Sequence, residues 1–234
     1  LVRWFRGDRV ISPNKFIPLF EKNRFIIKLD KYIFQKACED IQYINKLMKE
    51  KTFLNNCNHK NNNNEPFNNN FFITASINIS KEHFAYDNFI MEYYDMVKQT
   101  NVPRELIELE ITESASVYKG IDLKQITNDM KQKGFTIALD DFGTGYSSLN
   151  MLQDLNIDVL KIDKSFIDRI DESNLVKYII DMAKDFNIKT VAEGVETKEQ
   201  VDILNNMGCN MAQGYYYAKP LSRDDFVEYL TTKV

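Results

Sequence analysis

Cysteine and histidine are scarce in this 234-residue chain, and their scarcity removes several common catalytic centres from consideration. Cys38, Cys57 and Cys209 are odd in number and far apart, which argues against a disulfide framework and against a zinc site built from close-set pairs. They read as ordinary thiols of a reducing compartment, so the expected location is cytoplasmic. With two histidines in all, a Ser-His-Asp or Cys-His triad would rest on His59, in an asparagine-rich tract, or His83, at an expected helix start. If the chain is an enzyme, carboxylates and amides must carry the chemistry.

An excess of one charge is also missing. Thirty Lys plus Arg against 34 Asp plus Glu leave a net charge of −4, with no basic footprint for a nucleic-acid polymer. No window approaches the ~18 consecutive apolar residues that span a bilayer. The segment Leu1 to Arg6 lacks the charged, apolar and small-residue regions of a signal peptide. The expectation is an unexported domain without membrane contact of its own. A hydrophobic content of 44% over this length suits one domain, residues 1–234, with a full core.

Residues 55–70, NNCNHKNNNNEPFNNN, break the composition: almost nothing there can be buried, so the tract reads as a solvated insertion loop. Elsewhere short apolar, β-branched runs alternate with stretches of helical period, the pattern of βα units and a parallel sheet. The strand candidates are 71–79, 106–112, 135–140, 159–163, 189–194 and 211–217, and the helix candidates 31–50, 81–100, 121–134, 173–186 and a stretch opening at Thr197. In the fourth helix Leu175, Ile179, Met182 and Phe186 are expected to face the sheet, opposite Lys177, Asp181 and Lys184. Thr197 and Gln200 have capping-box spacing, and Gly134 and Gly208 stand where left-handed helix terminators are expected. The fold class is α/β: six strands approach a (β/α)₈ barrel near the usual ~250 residues, with a doubly wound open sheet as the competitor.

Polar residues interrupt these apolar runs near the strand ends. Asn78, Glu110 with Glu113, Asp140 with Asp141, Lys161 with Asp163, and Glu193 fall at the ends of successive strand candidates. In parallel α/β architectures those ends share one rim, so acids distant in sequence can converge. Converging carboxylates repel unless some stay protonated or hard dications neutralise them, and oxygen donors without Cys or His favour Mg²⁺ or Mn²⁺ over zinc. Adjacent acids at a strand end suit a pair of ions ~3.5–4 Å apart. The GTG at 143–145 matches neither a P-loop nor a dinucleotide fingerprint and reads as a tight loop.

Seven strings carry a resemblance to the EAL-domain family of cyclic-di-GMP phosphodiesterases: LVRW (1–4), SINIS (76–80), ELEITES (108–114), DDFGTGYSSL (140–149), LKIDKSF (160–166), VAEGVET (191–197) and QGYYYAKPL (213–221). The resemblance implies a modified TIM barrel that hydrolyses cyclic-di-GMP to linear pGpG with two Mg²⁺ or Mn²⁺ ions. It further implies a homodimer, and an upstream sensory or GGDEF-type segment in a longer, membrane-anchored or wholly cytoplasmic protein. Carried over by position, Asn78, Glu110 and Asp140 match ligands of a first metal, and Asp140, Asp141 and Glu193 those of a second. Lys161 matches the lysine beside the attacking water, and Glu193 also the general base. Glu196 and Gln213 match residues supporting this set, Arg3 a phosphate contact, and Glu113 the residue holding the loop 142–149. The family's signature Glu would lie two places ahead of Leu1, and without it turnover is expected to be weak. The competing functions are a catalytically silent cyclic-di-GMP receptor and a hydrolase for another phosphodiester.

Overall fold

The computed structural model describes residues 2–7, 9–58, 73–117, 121–143 and 149–233. The chain opens with an antiparallel hairpin, β1 (Trp4–Arg6) and β2 (Arg9–Ile11), followed by helices α1 (Pro13–Lys22) and α2 (Ile26–Asn58). Strand–helix units then succeed one another: β3 (Ala75–Asn78), α3 (Phe89–Thr100), β4 (Ile107–Thr112), α4 (Leu123–Gln132), β5 (Thr136–Phe142) and α5 (Leu149–Asp154). After these come β6 (Val159–Ile162), α6 (Lys164–Ile167), α7 (Leu175–Asp185), β7 (Lys189–Ala192), α8 (Lys198–Met207), β8 (Met211–Ala212) and α9 (Arg223–Lys233). Strands β3 to β8 form one parallel sheet whose spatial order is the chain order. A doubly wound sheet reverses its order at a switch point, whereas a barrel wall does not. The sequential order therefore decides for the modified (β/α)₈ barrel.

The two faces of the sheet differ in chemistry, and period-two alternation is the cause. Outward, Ile77, Leu109, Ile111, Ile137, Leu139, Leu160 and Ile162 are buried beneath the helices. Inward, small side chains fill the floor, with Ala138, Val159 and Val191 forming a separate cluster. Two residues further along the same strands, on the same face, stand Asp140, Lys161 and Glu193. The alternation that seals the outer core thus delivers polar groups to the inner rim.

The element boundaries depart from expectation where tertiary contacts decide. The first helix candidate, 31–50, grows to the 33 residues of α2, because Ile26, Phe34, Cys38, Ile41 and Ile44 continue one buried stripe. It runs through 55–58, which the composition assigned to the insertion loop; the rest of that tract lies outside the described residues. The candidate 81–100 splits into a 3₁₀ turn, Lys81–Ala85, capped by the Ser80 side chain, and α3. Between them Tyr86 is extended, and Asp87 and Asn88 are ordinary turn residues. The expected face of α7 is rotated. Val176, Ile179, Ile180 and Ala183 are buried, while Leu175 (46% exposed) and Phe186 (38%) look outward and Met182 is partly buried. Two apolar stripes overlap on this helix, and the one with small Ala183 and β-branched residues lies against the sheet. The Thr197–Gln200 capping box is formed, and Gly208 (φ 76°) ends α8 in the left-handed conformation.

Candidate active site

Every strand from β3 to β8 contributes a polar group at or just beyond its C-terminal end. Asn78 and Glu110 are register partners on β3 and β4, so their side chains share a face, and Asn78 Nδ2 donates to Glu110 Oε2 at 2.7 Å. The Lys161 ammonium of β6 donates to Glu110 Oε1 and forms ion pairs with Glu193 Oε1 (2.6 Å) and Asp140 Oδ1 (3.5 Å). Gln213, just beyond β8, donates through Nε2 to Glu193 Oε1 at 2.6 Å. Asn78, Glu110, Asp140, Lys161, Glu193 and Gln213, expected from strand ends and motif positions, are thus brought together around one buried ammonium.

Asp141 joins them through a bulge. Leu139 pairs with Leu160 and Phe142 with Ile162, so β5 carries one residue more than β6 across this step. The bulge places Asp141 at φ 56°, a left-handed conformation that Asp tolerates better than most residues. Asp140 stays buried while Asp141 is exposed beside it. Glu113, buried at the end of β4, accepts from Gly143 N–H at 3.2 Å and so ties β4 to the start of the loop after β5. Residues 144–148 of that loop lie outside the described residues.

One expected residue pairs outside this centre. Glu196 pairs with Lys164 (2.8 Å), which also holds Asp168 and reaches the Gly194 carbonyl; it does not touch Lys161. Arg3 belongs to the N-terminal hairpin, where it lines a cavity of about 420 Å³ with Val10, Ser12, Pro13 and Asn14. Asp163, read from the sequence as a rim acid, caps α6 by accepting from Ser165 N–H and is also close enough to Asp141 to add its repulsion there.

The electrostatics of the rim follow from four carboxylates, Glu110, Asp140, Asp141 and Glu193, facing one ammonium. Burial pushes Glu110 up to about 7, and its neighbours Asp140 and Glu193 add to the effect against the pull of Lys161. Burial likewise raises Glu193 and Asp141, each with Asp140 as a repelling neighbour. Burial alone would lower Lys161, but Glu110, Asp140 and Glu193 outweigh it and hold the ammonium above the ordinary lysine range. Among the described residues no three Asp, Glu, Cys or His side chains are gathered as a ready-made metal ligand set; Lys161 stands between the acids. The donor chemistry nonetheless fits a hard dication: all donors are oxygen, and negative charge exceeds what one lysine neutralises.

Gly214 secures the last of these groups. A Cβ at this position would lie 2.1 Å from the Val195 carbonyl oxygen and 2.3 Å from Val195 N, both backbone atoms. Val195 N–H donates to the Gln213 carbonyl and Tyr216 N–H to the Val195 carbonyl, so neither strand end can retreat. Gly214→Ala is expected to cost about 1–3 kcal/mol, the range of overpacked sites, and to loosen Gln213 from Glu193. Thermal denaturation checks this, and an unchanged melting temperature would refute the close fit.

Sequence reasoning missed Asp30, which is buried (6% exposed) on α2. The signal was present: Ile26, Asp30, Phe34 and Cys38 are spaced by four, so a charged residue stands in the helix's buried stripe.

A singly wound parallel barrel with an acid-rich C-terminal rim and one central lysine defines a carboxylate-based class of (β/α) barrel. The EAL domain family profile matches residues 1–220, and the chain belongs to that family. It is 35% identical over 239 residues to the probable cyclic di-GMP phosphodiesterase PdeG of Escherichia coli (strain K12), covering 100% of this chain and 43% of the relative. It is 32% identical over 231 residues to the probable cyclic di-GMP phosphodiesterase PdeB of the same strain, covering 98% and 40%. The chain thus spans less than half the length of these curated relatives. Among solved structures, the cAMP- and cyclic-di-GMP-bound form of the EAL enzyme Bd1971 matches with a TM-score of 0.84 at 28% identity, covering 97% of this chain and 58% of that one. The c-di-GMP complex of the PaMucR phosphodiesterase matches with a TM-score of 0.79 at 27% identity, covering 96% and 84%.

Proposed function

We propose that this chain is a cyclic-di-GMP phosphodiesterase domain that opens one phosphodiester bond of the cyclic dinucleotide to give linear pGpG. The observation that carries the reading is the convergence of Glu110, Asp140 and Glu193 on Lys161 at one rim, with Asn78 and Gln213 bonded to the outer two acids. The names of the relatives and the bound ligands of the similar structures support the choice of substrate.

Asn78, Glu110 and Asp140 would hold one Mg²⁺ or Mn²⁺ ion and Asp140, Asp141 and Glu193 a second. When bound, such a pair neutralises phosphate charge and makes water acidic enough to attack near neutral pH. The chain's own groups do the rest. Lys161 offers a compact positive charge to the phosphoryl oxygens as negative charge builds on them. Glu193, oriented by Gln213 and raised by burial, takes a proton from the attacking water. The water oxygen bonds to phosphorus, the bond to the 3′ oxygen breaks, and that oxygen leaves as a hydroxyl after taking up a proton. Arg3 would meet phosphate from the hairpin side. Glu113 would act by holding Gly143 at the end of β5, and Glu196 at one remove through Lys164.

The domain is further read as residues 1–234 of a longer cytoplasmic or membrane-anchored signalling protein that works as a homodimer. The relatives that include a bifunctional diguanylate cyclase/phosphodiesterase and an oxygen sensor support the longer architecture. The free thiols of Cys38 and Cys209 suit a reducing compartment. Among the described residues no helix is long and apolar enough to cross a membrane.

The test is direct. The chain, preceded by Glu-Ala ahead of Leu1, is incubated with cyclic-di-GMP and Mn²⁺ and the products are separated by chromatography. Formation of pGpG, abolished by EDTA, is the expected result. Tight binding with the cyclic dinucleotide left intact would overturn the hydrolase reading in favour of a receptor.

A further inference from the structure

Strands β4 to β7 each have a strand neighbour on both sides, but β3 is the end strand of the described sheet, with β4 as its neighbour. Its last residue, Asn78, is also one of the groups on the rim, so its placement needs a restraint from outside the sheet. Ile79 N–H still donates to the Glu110 carbonyl (2.9 Å), and beyond it the chain turns away. The first N–H past that point, on Ser80, donates to Asp30 Oδ2 of α2 at 3.1 Å, and the Ser80 hydroxyl donates to Glu21 Oε1 of α1 at 3.3 Å.

Asp30 is itself held from behind. His83 Nε2 lies 3.1 Å from the same Oδ2, and the Tyr93 hydroxyl of α3 lies 3.2 Å from Nε2. The His83 ring is fully buried, and its Nδ1 has no hydrogen-bond partner among the described residues. A proton on Nδ1 would be a buried donor without an acceptor, so the proton belongs on Nε2, where Asp30 accepts it. One carboxylate oxygen thus takes two N–H groups, one from the backbone of the Ser80 turn and one from a ring that the hydrophobic core keeps in place.

We propose that Asp30, backed by His83 and Tyr93, is a positioning residue for Asn78: it fixes the chain two residues past Asn78 on the side where β3 has no strand neighbour. This rests on the reading of Asn78 as a rim ligand in the proposed phosphodiesterase. Losing the clamp would let the β3 end swing away from Glu110 and weaken the oxygen set without removing any member of it.

The experiment compares wild type with Asp30→Ala, each preceded by Glu-Ala ahead of Leu1, using Val176→Ala on α7 as a control for general destabilisation. Amide hydrogen exchange and calorimetry with Mn²⁺ alone are measured beside turnover of cyclic-di-GMP. In Asp30→Ala the amides of 79–84 should exchange about tenfold faster, the loss expected for one buried hydrogen bond, while those of α8 stay unchanged. Mn²⁺ should bind about tenfold more weakly, and kcat should fall more than KM changes. Val176→Ala should leave Mn²⁺ affinity and kcat per folded molecule as in wild type. If Asp30→Ala does not fold, Asp30→Leu, which keeps the volume and removes both acceptor oxygens, carries the same readouts. Faster local exchange with unaltered Mn²⁺ affinity and kcat would overturn the proposal, since the network would then serve folding alone. A wild type that takes up Mn²⁺ but hydrolyses nothing would sink the phosphodiesterase reading and leave the clamp to calorimetry and exchange; no Mn²⁺ uptake by wild type would sink both.

Discussion

Asp140→Asn should lower kcat for cyclic-di-GMP by a factor on the order of 10²–10³, comparable with losing one key electrostatic group in other active sites. The melting temperature should move by only a few degrees. Asp140 is the acid that both proposed ions would share, and it stands at the bulge beside Asp141 and within ion-pair distance of Lys161. Asparagine keeps the volume and the oxygen that accepts from Asp141 N–H at 3.0 Å. It removes the negative charge, which is what a pair of dications and the Lys161 ammonium require. Steady-state kinetics across a Mn²⁺ titration, with thermal denaturation alongside, make the check. An Asp140→Asn protein as active as wild type at every Mn²⁺ concentration would count decisively against a shared-carboxylate centre.

Lys161→Met should have the second large effect, and an unusual metal dependence should accompany it. In wild type the buried ammonium is the cation among Glu110, Asp140 and Glu193. Its removal leaves buried carboxylates facing one another, and breaking a buried ion pair from one side typically costs ~3–5 kcal/mol. For a domain of this size that corresponds to a fall of roughly 10 °C in melting temperature. Mn²⁺ should restore much of it, because a dication then supplies the charge that the lysine supplied, and binding to the folded state stabilises by mass action. Turnover should stay lost even when stability returns, since no ammonium remains to meet the developing phosphoryl charge. Differential scanning calorimetry with EDTA and with Mn²⁺ separates the two effects. Equal Mn²⁺-induced shifts in variant and wild type would refute the placement of Lys161 as the internal counter-charge.

The rim was legible in the sequence to the extent that it is a consequence of strand periodicity. Apolar runs ending in Asn78, Glu110, Asp140 and Glu193 mark both the strands and the end at which their polar groups gather. Asp163 shows what that reasoning leaves out, because a strand-end acid can also turn back to cap the next helix, as it does here while still repelling Asp141. The α7 face was misread because Leu175 and Phe186 and the pair Val176 and Ala183 each make an acceptable stripe, and helical period alone does not rank them. Asp30 escaped because its significance lies in what it touches, Ser80 and His83, fifty or more positions away.

By itself the sequence determined the α/β class, the consecutive strand–helix units and an oxygen-only chemistry, since these depend on local alternation and on which residue types are present at all. The tertiary structure alone decided that Lys161 pairs with Glu110, Asp140 and Glu193 together, that a one-residue bulge sets Asp140 apart from Asp141, and that Glu196 pairs with Lys164. Those are distances between groups brought together by a closing sheet, and burial at close range is what turns such distances into shifted protonation and chemistry.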